Sequence, residues 1–230
     1  MSGRTILLLP GLLSDRTVWE PLLDALDGDA RVPDLTGRDH LTAMARDCLA
    51  LAEGPLRVAG HSMGARVAME MARLAPDRVE RLALLDTGIH PLGEGERERR
   101  ADIVAFAREH GMRALAERWL PGMVHPDRRD DPGLMGPLED MVLRHDAAQH
   151  ERQVSALVAR PDAGVALGEI GCPVLLMVGR QDAWSPVAQH EDMLARLPHA
   201  RLVVIEEAGH FAPLERPRAV LRELLPFLSA

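Results

Sequence analysis

The chain carries six short runs of strand type: Thr5–Leu9, Arg31–Pro33, Leu56–Ala59, Leu82–Leu85, Val174–Val178 and Leu202–Ile205. Each is bounded by Gly, Pro or Asp, and in several the apolar positions are consecutive rather than alternating. A strand that is apolar at successive positions must be covered on both faces, which is the situation of a parallel sheet sandwiched between helices. Helical segments lie between the first runs. Val18–Leu26 places Val18, Leu22, Leu23 and Leu26 on one face, and Met63–Leu74 does the same with Met63, Val67, Met71 and Leu74. Strand alternating with helix predicts a doubly wound α/β sheet.

The alternation stops after Leu85. No strand pattern is found from about Ile89 to Ile170, where helices are expected over Glu96–Glu109, Met112–Leu120, Leu134–Asp146 and Ala148–Ala159. Pro91, Pro121-Gly122, Pro132-Gly133 and Pro161 mark the joints. The strand pattern resumes at Val174. The expected organisation is a core made of residues 1–88 and 171–230, interrupted by a helical lid over 89–170. The 230 residues suffice for this without a second core.

The third run leads straight into Gly60-His61-Ser62-Met63-Gly64, and a helical pattern follows. A nucleophile on a sharp strand-to-helix turn has a strained backbone, and the residues two positions away on either side crowd that turn. Gly60 and Gly64 supply the missing bulk. The serine is thereby raised above the sheet at a helix N-terminus, where free N–H groups and the positive dipole end favour developing negative charge. Ser62 is therefore the expected nucleophile, and the N–H of Met63 the first oxyanion donor. The loop after the first strand, Pro10-Gly11-Leu12-Leu13, can approach closely at Gly11 and offers the N–H of Leu12 as the second donor.

A serine hydroxyl needs a base, and the base needs an orienting carboxylate. Of the ten histidines, His210 falls just past the last strand, on the rim where Ser62 is expected. His61 adjoins Ser62, but its side chain should point away, and it is read as packing. His40 and His90 follow other strand ends and are read as ordinary surface or packing residues in preference to pocket-lining ones. Two carboxylates follow strands on the same rim: Asp182, in Gly179-Arg180-Gln181-Asp182, and Asp86.

These motifs resemble those of the α/β-hydrolase superfamily, in its lidded esterase, lipase and C–C hydrolase branch. They are Leu9-Pro10-Gly11-Leu12, Gly60-His61-Ser62-Met63-Gly64, Gly179-Arg180-Gln181-Asp182 and Gly209-His210-Phe211-Ala212-Pro213-Leu214-Glu215-Arg216-Pro217, and they span nearly the whole chain. The order Ser62, Asp182, His210 is the one that fold uses, and it selects Asp182 over Asp86. The resemblance implies an α/β-hydrolase fold, a serine carboxylesterase-type activity, and no cofactor or metal; the insertion, with only Phe106 and Trp119 as aromatics and several Met, suits small to medium flexible acyl chains. Lactones, thioesters, C–C bonds and a non-turnover small-molecule receptor are the alternatives. A serine rather than an aspartate at the elbow argues against dehalogenase and epoxide hydrolase chemistry. Two departures stand out. Pro10 occupies a position where the family often has His, and the first strand begins near residue 5. The second departure predicts a shortened, about six-stranded, mostly parallel sheet.

Composition narrows the field further. All 27 basic residues are Arg, and Lys, Tyr and Asn are absent, a bias expected of a GC-rich bacterial genome. Without Lys there is no Schiff-base or P-loop lysine. A net charge of -8 argues against a nucleic-acid partner. Cys48 and Cys172 are read as free thiols. The N-terminal apolar run is broken by Pro10-Gly11 and is too short to span a bilayer, so a soluble, cytoplasmic protein acting on a small ester-type molecule is expected. Arg97, Arg99 and Arg100, mixed with Glu94, Glu96 and Glu98, are read as charges on an exposed helix face in preference to a binding site for an acidic substrate. His125, Asp127, Asp130 and Asp131 fit no metal-ligand spacing and are read as loop. Met112, Met123, Met135 and Met141 either line an adaptable pocket or pack.

Overall fold

A computed structural model describes residues 5–26 and 28–230. Residues 1–4 and Asp27, assigned above to the core, lie outside the described residues. Six strands form one sheet: β1 (Thr5–Leu9), β2 (Ala30–Arg31), β3 (Leu56–His61), β4 (Val79–Leu85), β5 (Val174–Gly179) and β6 (Ala200–Ile205). Their spatial order is β2-β1-β3-β4-β5-β6, and every neighbouring pair is parallel. The sheet is thus a fully parallel version of the shortened sheet expected. The second strand forms at Ala30–Arg31 instead of Arg31–Pro33, because Pro33 has no N–H to give a ladder.

Burial explains the consecutive apolar positions. β1, β3 and β5 are buried along their whole length, and successive residues enter two different cores. Ile6, Leu8, Ala59, Leu85 and Met177 face one core, which also holds Val220, Leu224 and Leu228 near the C-terminus. Leu7, Leu9, Val58, Leu84 and Leu176 face the other, with Met44, Cys48, Val67 and Met71. The period of two along each strand therefore divides one apolar run between two helical layers.

The helices are α1 (Glu20–Leu23), α2 (Leu41–Ala50), α3 (Met63–Leu74), α4 (Glu96–Trp119), α5 (Pro132–Leu143), α6 (Ala147–Val158), α7 (Ala163–Ala166), α8 (Val187–Leu194), α9 (Ala212–Glu215) and α10 (Pro217–Ser229). α3 occupies the range read from the sequence. The helix expected over Val18–Leu26 forms instead as a 3-10 turn over Arg16–Trp19 followed by the single turn α1, with Pro21 near the start of the latter. The apolar-run reading passes over α2, α8 and α10.

Between β4 and β5 the described residues form helices and no strand. The two helices expected on either side of Gly111 are joined in α4, but Gly111 itself has φ 84 and ψ 169, so the chain kinks there at a residue without a Cβ. An Asp146–Gln149 capping box starts α6. This insertion is not a separate layer. Leu115, Leu120, Met123, Leu138 and Met141 belong to the same apolar cluster as Leu8 and Phe211, and the Leu13 N–H donates to Gln153 Oε1 at 2.9 Å.

Candidate active site

β3 ends at His61 and α3 begins at Met63, so Ser62 must reverse the chain alone. It does so with φ 54 and ψ −115, a conformation L-residues rarely adopt, at a cost of about 1–3 kcal/mol. The turn is held by the Ser62 N–H donating to the Leu85 carbonyl at 2.9 Å and by Thr87 Oγ1 donating to the Ser62 carbonyl at 3.0 Å. It also requires glycine on both sides. A Cβ on Gly60 would lie 2.5 Å from the Ala65 backbone, and one on Gly64 would lie 2.2 Å from the Leu9 carbonyl oxygen.

The parallel sheet delivers the other groups to the same rim. Asp182 follows β5, and His210 follows β6. The Ser62 hydroxyl lies 2.8 Å from His210 Nε2, and His210 Nδ1 lies 2.8 Å from Asp182 Oδ2. The other carboxylate oxygen, Oδ1, accepts the Trp184 and Ser185 N–H groups, both at 2.9 Å. Burial pushes the Asp182 carboxyl up, but the His210 imidazole and these N–H donors outweigh it and hold the group below its ordinary range. Gly11 approaches the serine so closely that a Cβ there would sit 3.2 Å from Ser62 Cβ. Leu12 and Met63 both line the cavity above Ser62, and among the described residues neither backbone N–H has a protein acceptor.

Asp86, the alternative carboxylate, lies elsewhere. It is fully buried, its Oδ1 accepts the Gly179 N–H at 2.9 Å, and its nearest imidazole is that of His61, at 3.9 Å. Burial first, and repulsion from Asp182 second, push its carboxyl well above the ordinary range.

Sequence reasoning missed a supporting ring of residues. His61 points away from Ser62 as expected, but it does more than fill space. Its Nε2–H donates to the His210 carbonyl at 2.7 Å, and its ring stacks on Phe211. Burial, and then the neighbouring His210, lower its pKa to about 3, so it serves as a neutral donor. Glu215, also buried, accepts the Gly209 N–H at 2.8 Å and the His125 N–H at 2.7 Å. The His210 N–H donates to the Met123 carbonyl at 2.7 Å. Glu215 was visible only as part of the motif after His210, and no local pattern announces the Met123 contact.

A cavity of about 790 Å³ opens over Ser62 and His210. Gly11, Leu12, Met63 and Phe211 form its floor near the serine, and Ile103, Leu115, Trp119, Val154 and Leu157 come from the insertion. Of the four methionines considered above, only Met123 lines it; Met141 is fully buried, and Met112 and Met135 pack against the core. His90 lines the cavity, whereas His40 is exposed elsewhere. The reading of the arginine-glutamate stretch needs correction. Arg97 and Arg99 are exposed, but Arg100 is half-buried, pairs with Glu96 at 2.7 Å and lines the cavity, because Glu96 and Arg100 share the inward face of α4. Asp131 caps α5 and pairs with Arg128, and among the described residues no group of His, Cys, Asp or Glu could hold a metal.

A parallel sheet with a serine on a strained strand-to-helix elbow after β3 is the arrangement of the α/β-hydrolase fold. Residues 6–223 match the model of the alpha/beta hydrolase family, and the chain belongs to that family. It is 26% identical to the pimeloyl-[acyl-carrier protein] methyl ester esterase of Aliivibrio salmonicida, over 99% of this chain and 93% of that protein. It is 28% identical to a 2-hydroxy-6-oxononadienedioate/2-hydroxy-6-oxononatrienedioate hydrolase of Cupriavidus pinatubonensis, over 76% of this chain and 62% of that one. Among solved structures, a thermophilic esterase from Thermogutta terrifontis, with malate bound, superposes with a TM-score of 0.89 at 29% identity, covering 99% of this chain and 91% of the other. The protein is a hydrolase with esterase relatives, and no described helix is long and apolar enough to cross a membrane.

Proposed function

We propose that the chain hydrolyses carboxylic esters through Ser62, His210 and Asp182. The supporting observation is the relay of two 2.8 Å contacts from Ser62 Oγ through the His210 ring to Asp182, at the floor of the cavity. Ser62 Oγ attacks the ester carbonyl carbon while His210 Nε2 takes its proton. Asp182 accepts from Nδ1–H, which fixes the tautomer with a free lone pair at Nε2 and stabilises the imidazolium that forms. The N–H groups of Met63 and Leu12 bind the oxyanion, each contributing about 3–4 kcal/mol of transition-state stabilisation. The tetrahedral intermediate collapses as His210 returns the proton to the leaving alkoxide. The acyl group on Ser62 is then released by a water that His210 deprotonates.

In this reading, residues 1–88 and 171–230 carry the catalytic groups, and residues 89–170 act as a lid that covers the acyl chain. The methyl ester named for the Aliivibrio relative fits an ester substrate of this kind. The cavity is within the range of small-molecule sites and suits acyl chains of small to medium length.

Two measurements test the proposal. A fluorophosphonate should label Ser62 and no other residue, and p-nitrophenyl butyrate should give an acyl-enzyme burst followed by steady turnover. Labelling without turnover would indicate a receptor. Faster turnover of a lactone or thioester than of any ester would move the substrate class while leaving the serine in place.

A further inference from the structure

The cavity lining is unusually cationic, and Arg66, Arg100 and Arg160 gather around Glu96 at one end of it. The lining includes Arg66, Arg99, Arg100, Arg118 and Arg160, against only Glu96 and Asp102. Glu96 is saturated. It accepts from Arg100 Nε at 2.7 Å, from both terminal nitrogens of Arg160 at 2.8 and 2.7 Å, and from the Gly93 N–H at 3.0 Å. Those donors outweigh its burial and hold its pKa at about 2, so one carboxylate serves two guanidinium groups.

Arg66 is left over. It lies on α3 one turn beyond the nucleophile, and its N–H reaches the Ser62 carbonyl at 3.4 Å. Its side-chain Nη1 is buried and has no hydrogen-bond partner, and Nη2 makes only a long 3.4 Å contact with the His90 carbonyl. The acidic residue one turn further along α3, Glu70, is taken by Arg73 at 2.9 and 2.7 Å and by Thr42 at 2.6 Å. A second orphan, His150 Nδ1, belongs to another residue lining the cavity. A buried guanidinium nitrogen such as Nη1 is costly to leave without an acceptor. Burial and the nearby Arg160 lower the Arg66 pKa to about 9, and burial and Arg100 lower that of His150 to about 4. A carboxylate at this position would accept from Arg66 Nη1 and would also offset the repulsion between Arg66 and the nearby Arg160 and Arg100.

Building on the esterase reading, we propose that the arginine end of the cavity, with Arg66 at its centre, binds a carboxylate carried by the substrate. The substrate class is then an ester with a free carboxylate separated from the scissile carbonyl by a short spacer. A planar guanidinium suits a carboxylate because it can donate two parallel N–H bonds.

The test compares matched esters. Monomethyl and dimethyl esters of succinate, glutarate, adipate and pimelate place the charge on the acyl side. γ-Acetoxybutyrate and its methyl ester place it on the alcohol side. In the wild-type enzyme, at least one anionic ester should exceed its neutral partner in kcat/KM by about tenfold or more, chiefly through KM. Arg66→Gln should lower that anionic-to-neutral ratio by about 10- to 100-fold, as expected for losing charge-assisted hydrogen bonds, and Arg66→Lys should restore part of it. Calorimetry on Ser62→Ala with glutarate and with neutral glutaramide reads the same site without turnover and without changing Arg66. Glutarate should bind and glutaramide should not. Equal handling of charged and neutral ligands in both experiments would overturn the proposal. Glutarate binding by a protein that turns over no ester would overturn the esterase reading and leave the carboxylate site standing.

Discussion

Replacing Asp182 by Asn removes one charge and almost no volume, and the structure indicates which way the amide must face. Asp182 Oδ1 accepts two backbone N–H groups, from Trp184 and Ser185. The amide oxygen of Asn has to occupy that position, because the amide NH2 would oppose both donors. Turning it round would leave the buried Ser185 N–H and the part-buried Trp184 N–H unsatisfied, at about 1–3 kcal/mol each, or about 2–6 kcal/mol together. The NH2 group therefore faces His210 Nδ1, which must become an acceptor. The imidazole proton then sits on Nε2, aimed at Ser62 Oγ, and the base has no lone pair for the hydroxyl proton. At 1.4 kcal/mol per tenfold, the productive tautomer falls by roughly 30-fold to 2 × 10⁴-fold. The upper end agrees with the loss of about 10⁴ in kcat for the same exchange in a serine protease triad. The acylation rate should be measured by stopped flow on p-nitrophenyl butyrate, with thermal unfolding confirming that the variant is folded. A folded Asp182→Asn enzyme within about tenfold of wild type would refute the tautomer argument.

Ser62→Ala, His210→Ala and the double variant should lose nearly the same activity, because the groups act as one unit; additive losses would show separate roles. Asp86→Asn should cost far less activity than Asp182→Asn, and it should stabilise the protein in a pH-dependent way. The Asp86 carboxyl is raised above its ordinary 3.8, so above that pH the unfolded chain releases a proton that the folded chain retains, and wild-type stability falls with rising pH until the folded-state pKa is passed. The Tm advantage of Asp86→Asn should therefore be larger near about pH 7 than near about pH 4, and a constant difference would show that Asp86 is ionised in the fold. Gly64→Ala should lower Tm and abolish labelling of Ser62, because its Cβ meets the Leu9 carbonyl oxygen at 2.2 Å; a fully labelled, equally stable variant would mean that the elbow can relax. On p-nitrophenyl esters, kcat/KM should rise from acetate towards butyrate or hexanoate and then fall; a maximum at palmitate would show that the cavity does not limit the acyl chain.

The sheet was legible because its strands are buried on both faces, so Leu7-Leu8-Leu9 and Leu175-Leu176-Met177 stand out without any tertiary knowledge. The elbow was legible because two glycines are sterically enforced around one serine. The helix Leu41–Ala50 was not, although Leu41, Met44, Ala45 and Cys48 have helical spacing; three of these four are small or sulfur-bearing and stand out less than a run of Leu, Ile or Val. The partners of Ser62 could be found from their places after strand ends. The bonds that hold those partners could not, because His61 to His210, His210 to Met123, and Glu215 to His125 join segments far apart in sequence. Arg66 was unreadable for the same reason. Nothing near it in the chain reveals that the acid one turn along, Glu70, is already occupied.

The hydrogen bond from the His210 N–H to the Met123 carbonyl, beside the Glu215 bond to the His125 N–H, limits how this protein could be recombined with its relatives. A chimera that exchanged everything between Ile89 and Ile170 would also exchange the backbone on which the histidine loop rests. A Cβ on Gly209 would lie 2.6 Å from the Val124 carbonyl carbon, so the donor segment would have to reproduce this backbone path closely, whatever its side chains. Graft boundaries that leave Leu120–His125 with the recipient would preserve the backbone under the His210 loop, and the helices on either side could then be replaced to reshape the cavity.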